Sequence, residues 1–319
     1  MPTPVYSRIP TTPKPGSAAF RRRLQTKAAE DATAVLPLFT TLITPQELAE
    51  SATPSWRIFD CRFDLRDPDF GRHAYSDGHL PNAFFLDLEE DLSGPCNGLN
   101  GRHPLPDPQL LADKLGALGV SDKTQVVAYD DVGGMFAARL WWLLRWLGHD
   151  RVAVLNGGLQ AWTAGGYPLS TTKPIEETAQ TFPLKLQHTM KVDVDYILGH
   201  LHSPDMLLID ARAPDRFRGE NETLDPVGGH IPGAINRFFK DNLSADGSFK
   251  QLSELQEEFG ALIKGGDAHN VVLQCGSGVT ACHNLLAMEA VGLDGAKLYA
   301  GSWSEWCADP ARPVASGPT

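Results

Sequence analysis

The sequence is poor in cysteine and contains no pattern by which its cysteines would pair. Five cysteines are scattered over 319 residues, namely Cys61, Cys96, Cys275, Cys282 and Cys307. An odd number excludes a complete set of disulfide bonds, and neither a Cys-x-x-Cys pair nor the spacing of a zinc site is present. Free thiols are typical of a reducing compartment, so we expect a cytoplasmic protein with no metal site.

Long apolar runs and an excess of positive charge are also absent. No run approaches the roughly 18 apolar residues of a membrane span, and no apolar segment near the N-terminus is typical of a secretory signal. The net charge of −11 argues against nucleic acid as the main partner, because phosphate binding needs a surplus of Lys and Arg. We therefore expect neither a membrane nor a nucleic acid partner.

Acidic residues are missing from the N-terminal segment. The first 29 residues contain six basic residues and no acidic one, and five prolines precede residue 16. Low hydrophobicity with many prolines cannot support a packed core, so we interpret residues 1–40 as a disordered tail. An organelle import segment is the alternative, since such segments are rich in arginine and poor in acids. The prolines disfavour the amphipathic helix that this alternative needs.

The rest of the chain contains an internal repeat. Four blocks recur in the same order, displaced by roughly 150 residues: Trp56–Arg62 and Met206–Arg212, Gly78–Ala83 and Gly229–Ala234, Gln125–Asp130 and Asn270–Cys275, and Gly157–Trp162 and Gly301–Trp306. Such order indicates duplicated domains, in agreement with a length about twice that of a typical domain. We place them at residues 41–165 and 191–315, joined by a linker at 166–190.

Within each half, short β-branched runs alternate with segments of helical periodicity. This alternation predicts βαβ units, and hence an α/β fold in which each domain has a mostly parallel sheet flanked by helices. Ligand sites in such sheets lie where a strand ends and a loop leads into the next helix. Cys275 occupies that position in the second half, and Asp130 occupies it in the first.

The segment around Cys275 is typical of a nucleophile. Gly276 and Gly278 allow the loop to curl so that backbone N–H groups converge, next to a helix N-terminus that favours an anion. Such a loop stabilises a thiolate and equally a terminal persulfide sulfur. The alternative is a buried, inert cysteine at a strand end. Cys282 lies on an apolar helix face, and we interpret it as part of the core.

At these residues the chain resembles a known family. The repeat, the Gly229–Ala234 block, the loop Cys275-Gly-Ser-Gly-Val-Thr280 and the Gly301–Trp306 block are similar to the two-domain rhodanese family. Within it, they look most like the 3-mercaptopyruvate sulfurtransferases, over roughly residues 41–315. The resemblance implies two tandem rhodanese-like domains, of which the first is inactive because Asp130 replaces the cysteine.

The resemblance also implies roles for the loop residues. Ser277 would be catalytic, and the backbone around it, at Gly276, Gly278, Val279 and Thr280, would bind substrate. Relatives that prefer thiosulfate have basic residues where this chain has Gly276 and Ser277. The uncharged pair resembles the mercaptopyruvate pattern.

Side chains outside the loop match the family's functional residues less completely. Asp210 matches a supporting acid, and Arg216 matches the arginine that holds the donor carboxylate, although a surface salt bridge is its alternative role. The family's second substrate arginine is absent from residues 220–228, which leaves the preferred donor open. Arg102 is a candidate replacement from the first domain.

A proton relay is the last feature that the resemblance implies. His103 would reach Ser277 from the first domain, with Glu89 or Asp87 as the acid behind it, and would protonate the departing enolate. The alternative is that His103 is only a loop residue. His79 in the first half and His230 in the second occupy matching positions of the repeat, which indicates a structural role.

Together these residues predict a sulfurtransferase without a cofactor. Cys275 would take sulfane sulfur from 3-mercaptopyruvate, or from thiosulfate as the alternative donor, and pass it to a thiol such as thioredoxin or a small thiol, or to cyanide. A cysteine phosphatase would need an arginine at position 281, where the chain has Ala281. A non-catalytic sulfur-binding module is the remaining alternative.

Overall fold

The computed structural model describes residues 38–174 and 178–318. Residues 1–37 of the tail expected at 1–40 lie outside this described part. Within it, no helix is long and apolar enough to cross a bilayer.

The first half forms a five-stranded parallel sheet. Its strands are β1 (Leu42–Ile43), β2 (Arg57–Asp60), β3 (Ala83–Phe85), β4 (Val126–Tyr129) and β5 (Val152–Leu155), in the order β1-β5-β4-β2-β3. The flanking helices are α1 (Pro45–Ser51), α2 (Phe70–Asp77), α3 (Pro108–Ala117), α4 (Ala137–Trp146) and α5 (Gly158–Ala164). All four residues of β2, β4 and β5 are buried, as expected for parallel strands covered on both faces.

The second half repeats this arrangement. Its strands are β6 (Lys191–Val192), β7 (Leu207–Asp210), β8 (Ile235–Asn236), β9 (Val271–Gln274) and β10 (Lys297–Tyr299), in the order β6-β10-β9-β7-β8. The helices are α6 (Val194–Gly199), α7 (Pro214–Arg218), α8 (Leu252–Ile263), α9 (Thr280–Ala290) and α10 (Ser302–Trp306), with 3-10 turns at His188–Met190, Phe239–Asn242 and Ala268–Asn270. The predicted α/β class is confirmed, because every pairing between these strands is parallel.

The two halves share one hydrophobic core. Helices α4 and α9, which each follow the loop after a central strand, pack against each other, and the largest core cluster contains residues of both. A buried polar contact crosses the same boundary, since Nε2 of His283 lies 3.0 Å from the Gly133 carbonyl oxygen. The packing of α4 on α9 therefore brings the loops after β4 and β9 close together.

The segment assigned to a linker is attached to the first half. Backbone hydrogen bonds join Ser170 to His79, Lys185 to Leu147 and Gln187 to Trp146. The second half has the counterpart of the first of these contacts, because His230 and Ala315 exchange two backbone hydrogen bonds. The chain after α5 and the chain after α10 are thus fastened to their own domains in the same way.

Candidate active site

Cys275 lies at the carboxyl end of the central strand β9, where the chain turns into α9. It is 2% exposed. Its backbone N–H donates to Oγ of Ser302 at 3.1 Å, and its Sγ accepts the N–H of Gly278 at 3.2 Å. The sulfur is therefore held against a backbone donor at the start of a helix, an arrangement that stabilises an anion.

Two glycines give the loop its shape. Gly278 has φ +78, and a Cβ there would lie 2.3 Å from the Ala300 carbonyl oxygen. A Cβ on Gly276 would lie 3.1 Å from Nη2 of Arg102. The first glycine permits the turn, and the second leaves room for an arginine of the other domain beside the cysteine.

Ser277 meets His103 across the domain boundary. Nδ1 of His103 lies 2.7 Å from Oγ of Ser277, and both side chains are buried. Burial, followed by the charges of Arg139 and Arg102, lowers the pKa of His103 to about 3. The imidazole is therefore neutral at neutral pH and can either accept a proton from the serine hydroxyl or donate one to it.

The acid nearest to this histidine is Glu89. Its Oε1 lies 3.9 Å from Nε2 of His103, which is beyond hydrogen-bond distance. The carboxylate of Asp87 instead accepts the backbone N–H groups of Glu89 and Glu90 and caps the local turn. Of the two candidate acids, only Glu89 thus faces the histidine.

Arg102 and Arg216 lie on either side of Asp225. Nη1 of Arg102 is 2.5 Å from Oδ1 of Asp225, and Nη2 of Arg216 is 3.4 Å from Oδ2 of the same residue. Arg216 also binds both carboxylate oxygens of Glu222. The structure brings the two arginines together, and sequence reasoning did not identify the two carboxylates that neutralise them.

Asp210 lies deeper, behind the loop. It is fully buried and binds Arg212 through both carboxylate oxygens, with a shortest distance of 2.7 Å. The Arg212 guanidinium carbon lies 4.8 Å from the centre of the Trp303 ring. Asp210 therefore orients a pocket arginine that sequence reasoning missed, although the same Asp-x-Arg pattern at Asp60 and Arg62 marks it as part of the repeat.

These residues surround a cavity of about 270 Å³. Its lining includes the predicted site residues except Gly278, Asp210 and the two candidate acids Glu89 and Asp87. The other lining residues are Leu65, Leu88, Met135, Phe136, Ala211, Arg212, Ala213, Leu224, Phe238, Phe239 and Lys240. Lys240 is exposed and makes no ion pair among the described residues. No group of three or more metal-ligating side chains lies within residues 38–174 and 178–318.

The other cysteines differ from Cys275 in their surroundings. Burial raises the pKa of Cys282 to about 12 and that of Cys307 to about 11, and burial also raises the pKa of Cys61. Cys96 is exposed. A raised pKa keeps a thiol protonated and weakly reactive, which agrees with the interpretation of Cys282 as a core residue.

Comparison with known proteins identifies the family. Residues 44–165 and 193–309 match the rhodanese-like domain. The chain belongs to the rhodanese family. A Pseudomonas aeruginosa relative named "Probable 3-mercaptopyruvate sulfurtransferase" is 49% identical over 86% of this chain and 98% of its own length. The mouse relative named thiosulfate sulfurtransferase is 35% identical over 88% of this chain and 97% of its own.

A solved structure agrees with this family. The 3-mercaptopyruvate sulfurtransferase from Leishmania major superposes with a TM-score of 0.75 at 33% identity, covering 84% of this chain and 74% of its own. The rhodanese-family chain is thus a sulfurtransferase with two rhodanese-like domains. The predicted family, fold and enzyme class are confirmed.

Proposed function

We propose that this rhodanese-family enzyme transfers sulfane sulfur from 3-mercaptopyruvate through a persulfide on Cys275. The observation that carries the proposal is the Gly278 N–H bound to the Cys275 sulfur, beside a cavity that is also lined by four cationic side chains. In the first half, Asp130 stands where the nucleophile would be, so that half is proposed to be inactive.

The first step breaks the C–S bond of the donor. The Cys275 thiolate attacks the donor sulfur, and the electron pair of the C–S bond leaves with the pyruvyl fragment as an enolate. Ser277 gives the enolate a proton to form pyruvate and is reprotonated through His103, whose Nδ1 lies 2.7 Å away. The proton that replaces it is the one that the transferred sulfur loses when the persulfide ionises. Glu89 is the nearest acid on the far side of the ring, with its Oε1 3.9 Å from Nε2. This sequence is covalent catalysis with general-acid assistance.

Donor recognition is proposed for Arg216 and Arg102. A planar guanidinium can bind a carboxylate through two parallel hydrogen bonds, and the guanidinium of Arg102 adjoins Gly276, next to Cys275. Gly276 and Ser277 place no cation in the loop itself, which suits a carboxylate more than the thiosulfate dianion. Thiosulfate is the alternative donor, favoured by the name of the mouse relative.

The second step regenerates the thiolate. An acceptor thiolate, from thioredoxin or a small thiol, attacks the outer sulfur of the persulfide, and cyanide would do the same to give thiocyanate. The sulfur itself is carried on the protein, so the proposed reaction uses no organic cofactor or metal. The five free cysteines are compatible with a reducing cytoplasm as the place of action.

The proposal is tested by kinetics with both donors. We expect Cys275→Ser to abolish transfer from either donor, while the matched change Cys282→Ser leaves most of it. In the wild-type enzyme, kcat/KM for 3-mercaptopyruvate should exceed that for thiosulfate. A higher kcat/KM for thiosulfate would overturn the donor assignment, and transfer by Cys275→Ser would overturn the nucleophile.

A further inference from the structure

A buried arginine of the first domain lies directly behind the loop of the second. Arg139, on helix α4, is 0% exposed. Its Nη1 donates to the Gly278 carbonyl oxygen at 3.1 Å, and its Nη2 donates to the His103 carbonyl oxygen at 3.1 Å. One guanidinium therefore joins the segment that carries the nucleophile to the segment that carries the histidine.

The charge of this arginine is not balanced by a carboxylate. Among residues 38–174 and 178–318, Arg139 forms no ion pair with a carboxylate. Its other contacts are the carbonyl oxygens of Pro104 and Leu92 at 3.4 and 3.5 Å and the thiol of Cys282. Burial lowers the pKa of Arg139, and the cysteines at 282 and 275 act in the opposite direction. Arginine nevertheless stays protonated in proteins, so a full positive charge is enclosed here.

Such a charge is costly unless an anion faces it. Removing an ion from water without a partner costs several kcal/mol, and an apolar side chain of similar volume is usually the more stable choice. Cys275 as a thiolate or persulfide is the anion that the loop would hold, since the thiol of Cys282 is kept neutral by its raised pKa. The cation is then balanced whenever Cys275 carries a thiolate or a persulfide anion.

We infer that Arg139 is a positioning residue of the proposed sulfur transfer, which balances the sulfur anion on Cys275 and holds His103 against Ser277. The inference rests on the proposed function and deepens it, because it assigns a task at the active site to the inactive half. Arg139 does not line the cavity, so it acts through the loop and the histidine and not on the donor.

Other charges also face the cysteine and must be kept constant in a test. Arg102, Arg212, Arg216 and Lys240 line the cavity in front of it, His103 is neutral, and Cys282 lies behind the loop. A substitution of Arg139 leaves all of these in place. The pH dependence of Cys275 alkylation, followed at that residue by peptide mass spectrometry, then reports the charge of Arg139.

Arg57 offers a matched control. It is also buried and donates to backbone carbonyls, at 2.9 Å to Leu118 and 3.0 Å to Pro54. It lies at the amino end of strand β2 in the first sheet, whereas Cys275 follows the carboxyl end of β9 in the second sheet. Arg57→Lys should lower the Tm without moving the alkylation profile or kcat.

The test compares Arg139→Met, Arg139→Gln and Arg139→Lys with this control. We expect Arg139→Met and Arg139→Gln to shift Cys275 alkylation to higher pH. Both should also lower kcat by about 10- to 100-fold, the loss expected when a charge-assisted hydrogen bond is removed. KM should stay near the wild-type value. Arg139→Lys keeps the positive charge but loses the planar guanidinium that donates to both carbonyl oxygens. It should therefore have the wild-type alkylation profile but a low kcat.

Two results would overturn the inference. One is a wild-type alkylation profile and kcat in Arg139→Met or Arg139→Gln, with only the Tm lowered as in Arg57→Lys. The other, decisive if those variants do not fold, is a wild-type kcat in Arg139→Lys. Either result leaves Cys275-dependent transfer intact, whereas failure of the proposed function would appear as activity in Cys275→Ser.

Discussion

The loops after β4 and β9 are built alike but hold different anions. In the first half, Oδ1 of Asp130 accepts the N–H groups of Val132 and Gly134 at 2.9 and 2.8 Å. Its Oδ2 accepts those of Phe136 and Ala137 at 2.7 and 2.9 Å. In the second half, Sγ of Cys275 accepts a single N–H, that of Gly278.

This difference shows that the loop can bind an anion through its backbone N–H groups. Burial raises the pKa of Asp130, but both oxygens already accept two N–H bonds each, so a proton would have no place and the carboxylate stays ionised. The first half thus fills its own anion site with a side chain that cannot leave. The shorter cysteine side chain holds one N–H, and in the proposed mechanism this loop would also hold the second sulfur atom of a persulfide.

The supports around the two loops are, in contrast, the same. Asp60 and Arg62 form the same two-residue ion pair as Asp210 and Arg212, with shortest distances of 2.6 and 2.7 Å. The duplicated His79 and His230 each bind a backbone carbonyl through Nδ1, at 2.7 and 2.9 Å. These features are present in both halves and therefore maintain the fold, whereas the proposed chemistry depends on features that differ between the halves.

The largest effect is expected from an exchange of the two nucleophile positions. The double variant Asp130→Cys with Cys275→Ser should have no transfer activity, because Asp131 adds a negative charge beside the new thiol and disfavours its thiolate. The first loop also lacks a serine at the position of Ser277. The measurement is sulfur transfer to cyanide, with Cys275→Ser alone as the control; activity near the wild-type level would show that the loops are interchangeable.

The next effect concerns two arginines that line the cavity of the second half. Arg216→Ala should lower kcat/KM for 3-mercaptopyruvate by about 10- to 100-fold, the loss expected for a charge-assisted hydrogen bond. Arg102→Ala should do the same if it replaces the missing family arginine. The exposed Lys123→Ala makes the same change of charge away from the cavity and should be silent. An unchanged kcat/KM in Arg102→Ala would remove that residue from the site.

A stability measurement can test whether the Asp130 carboxylate stabilises the loop after β4. Asp130→Asn places an N–H₂ group against backbone donors and should lower the free energy of unfolding by about 1.5–3 kcal/mol, with little effect on kcat. The exposed Asp122→Asn is the matched control. Denaturant unfolding would show this difference, and a variant as stable as the control would mean that the carboxylate is not what holds the loop.

The effect that is smallest at neutral pH is a pH dependence of stability from the domain boundary. Burial lowers the pKa of His283 from 6.5 to about 4, so the unfolded chain takes up a proton that the folded chain refuses. Stability from this residue is complete above pH 6.5 and is lost as the pH falls towards 4, by at most about 1.4 kcal/mol per pH unit. His283→Gln should flatten that part of the profile, and an equal slope in both proteins would contradict this origin.

Local patterns are sufficient to predict the fold and to propose the nucleophile. The alternation of buried strands and helices indicates parallel sheets, and the glycines beside Cys275 indicate a tight anion-binding loop. Both signals arise from neighbouring residues. The contact of His103 with Ser277 could be expected only through the family resemblance, because it joins residues that are 174 positions apart.

Other parts of the site have no local signal. Arg139 belongs to a helical segment with apolar periodicity, and nothing near it in the chain indicates that it reaches Gly278. Asp225 and Glu222 follow α7 in a polar stretch that is typical of a solvated loop, yet they neutralise Arg102 and Arg216. Contacts of this kind depend on how the two domains pack, and that packing is determined by whole helix faces.

The location of the transferred sulfur tests the proposed Cys275 persulfide most directly. The enzyme would be treated with 3-mercaptopyruvate, and its cysteine peptides would be weighed by mass spectrometry before and after addition of a thiol. We expect only the peptide that contains Cys275 to gain the mass of one sulfur atom and to lose it to the thiol. Sulfur on Cys282 or Cys96, or steady turnover with no sulfur on Cys275, would contradict it.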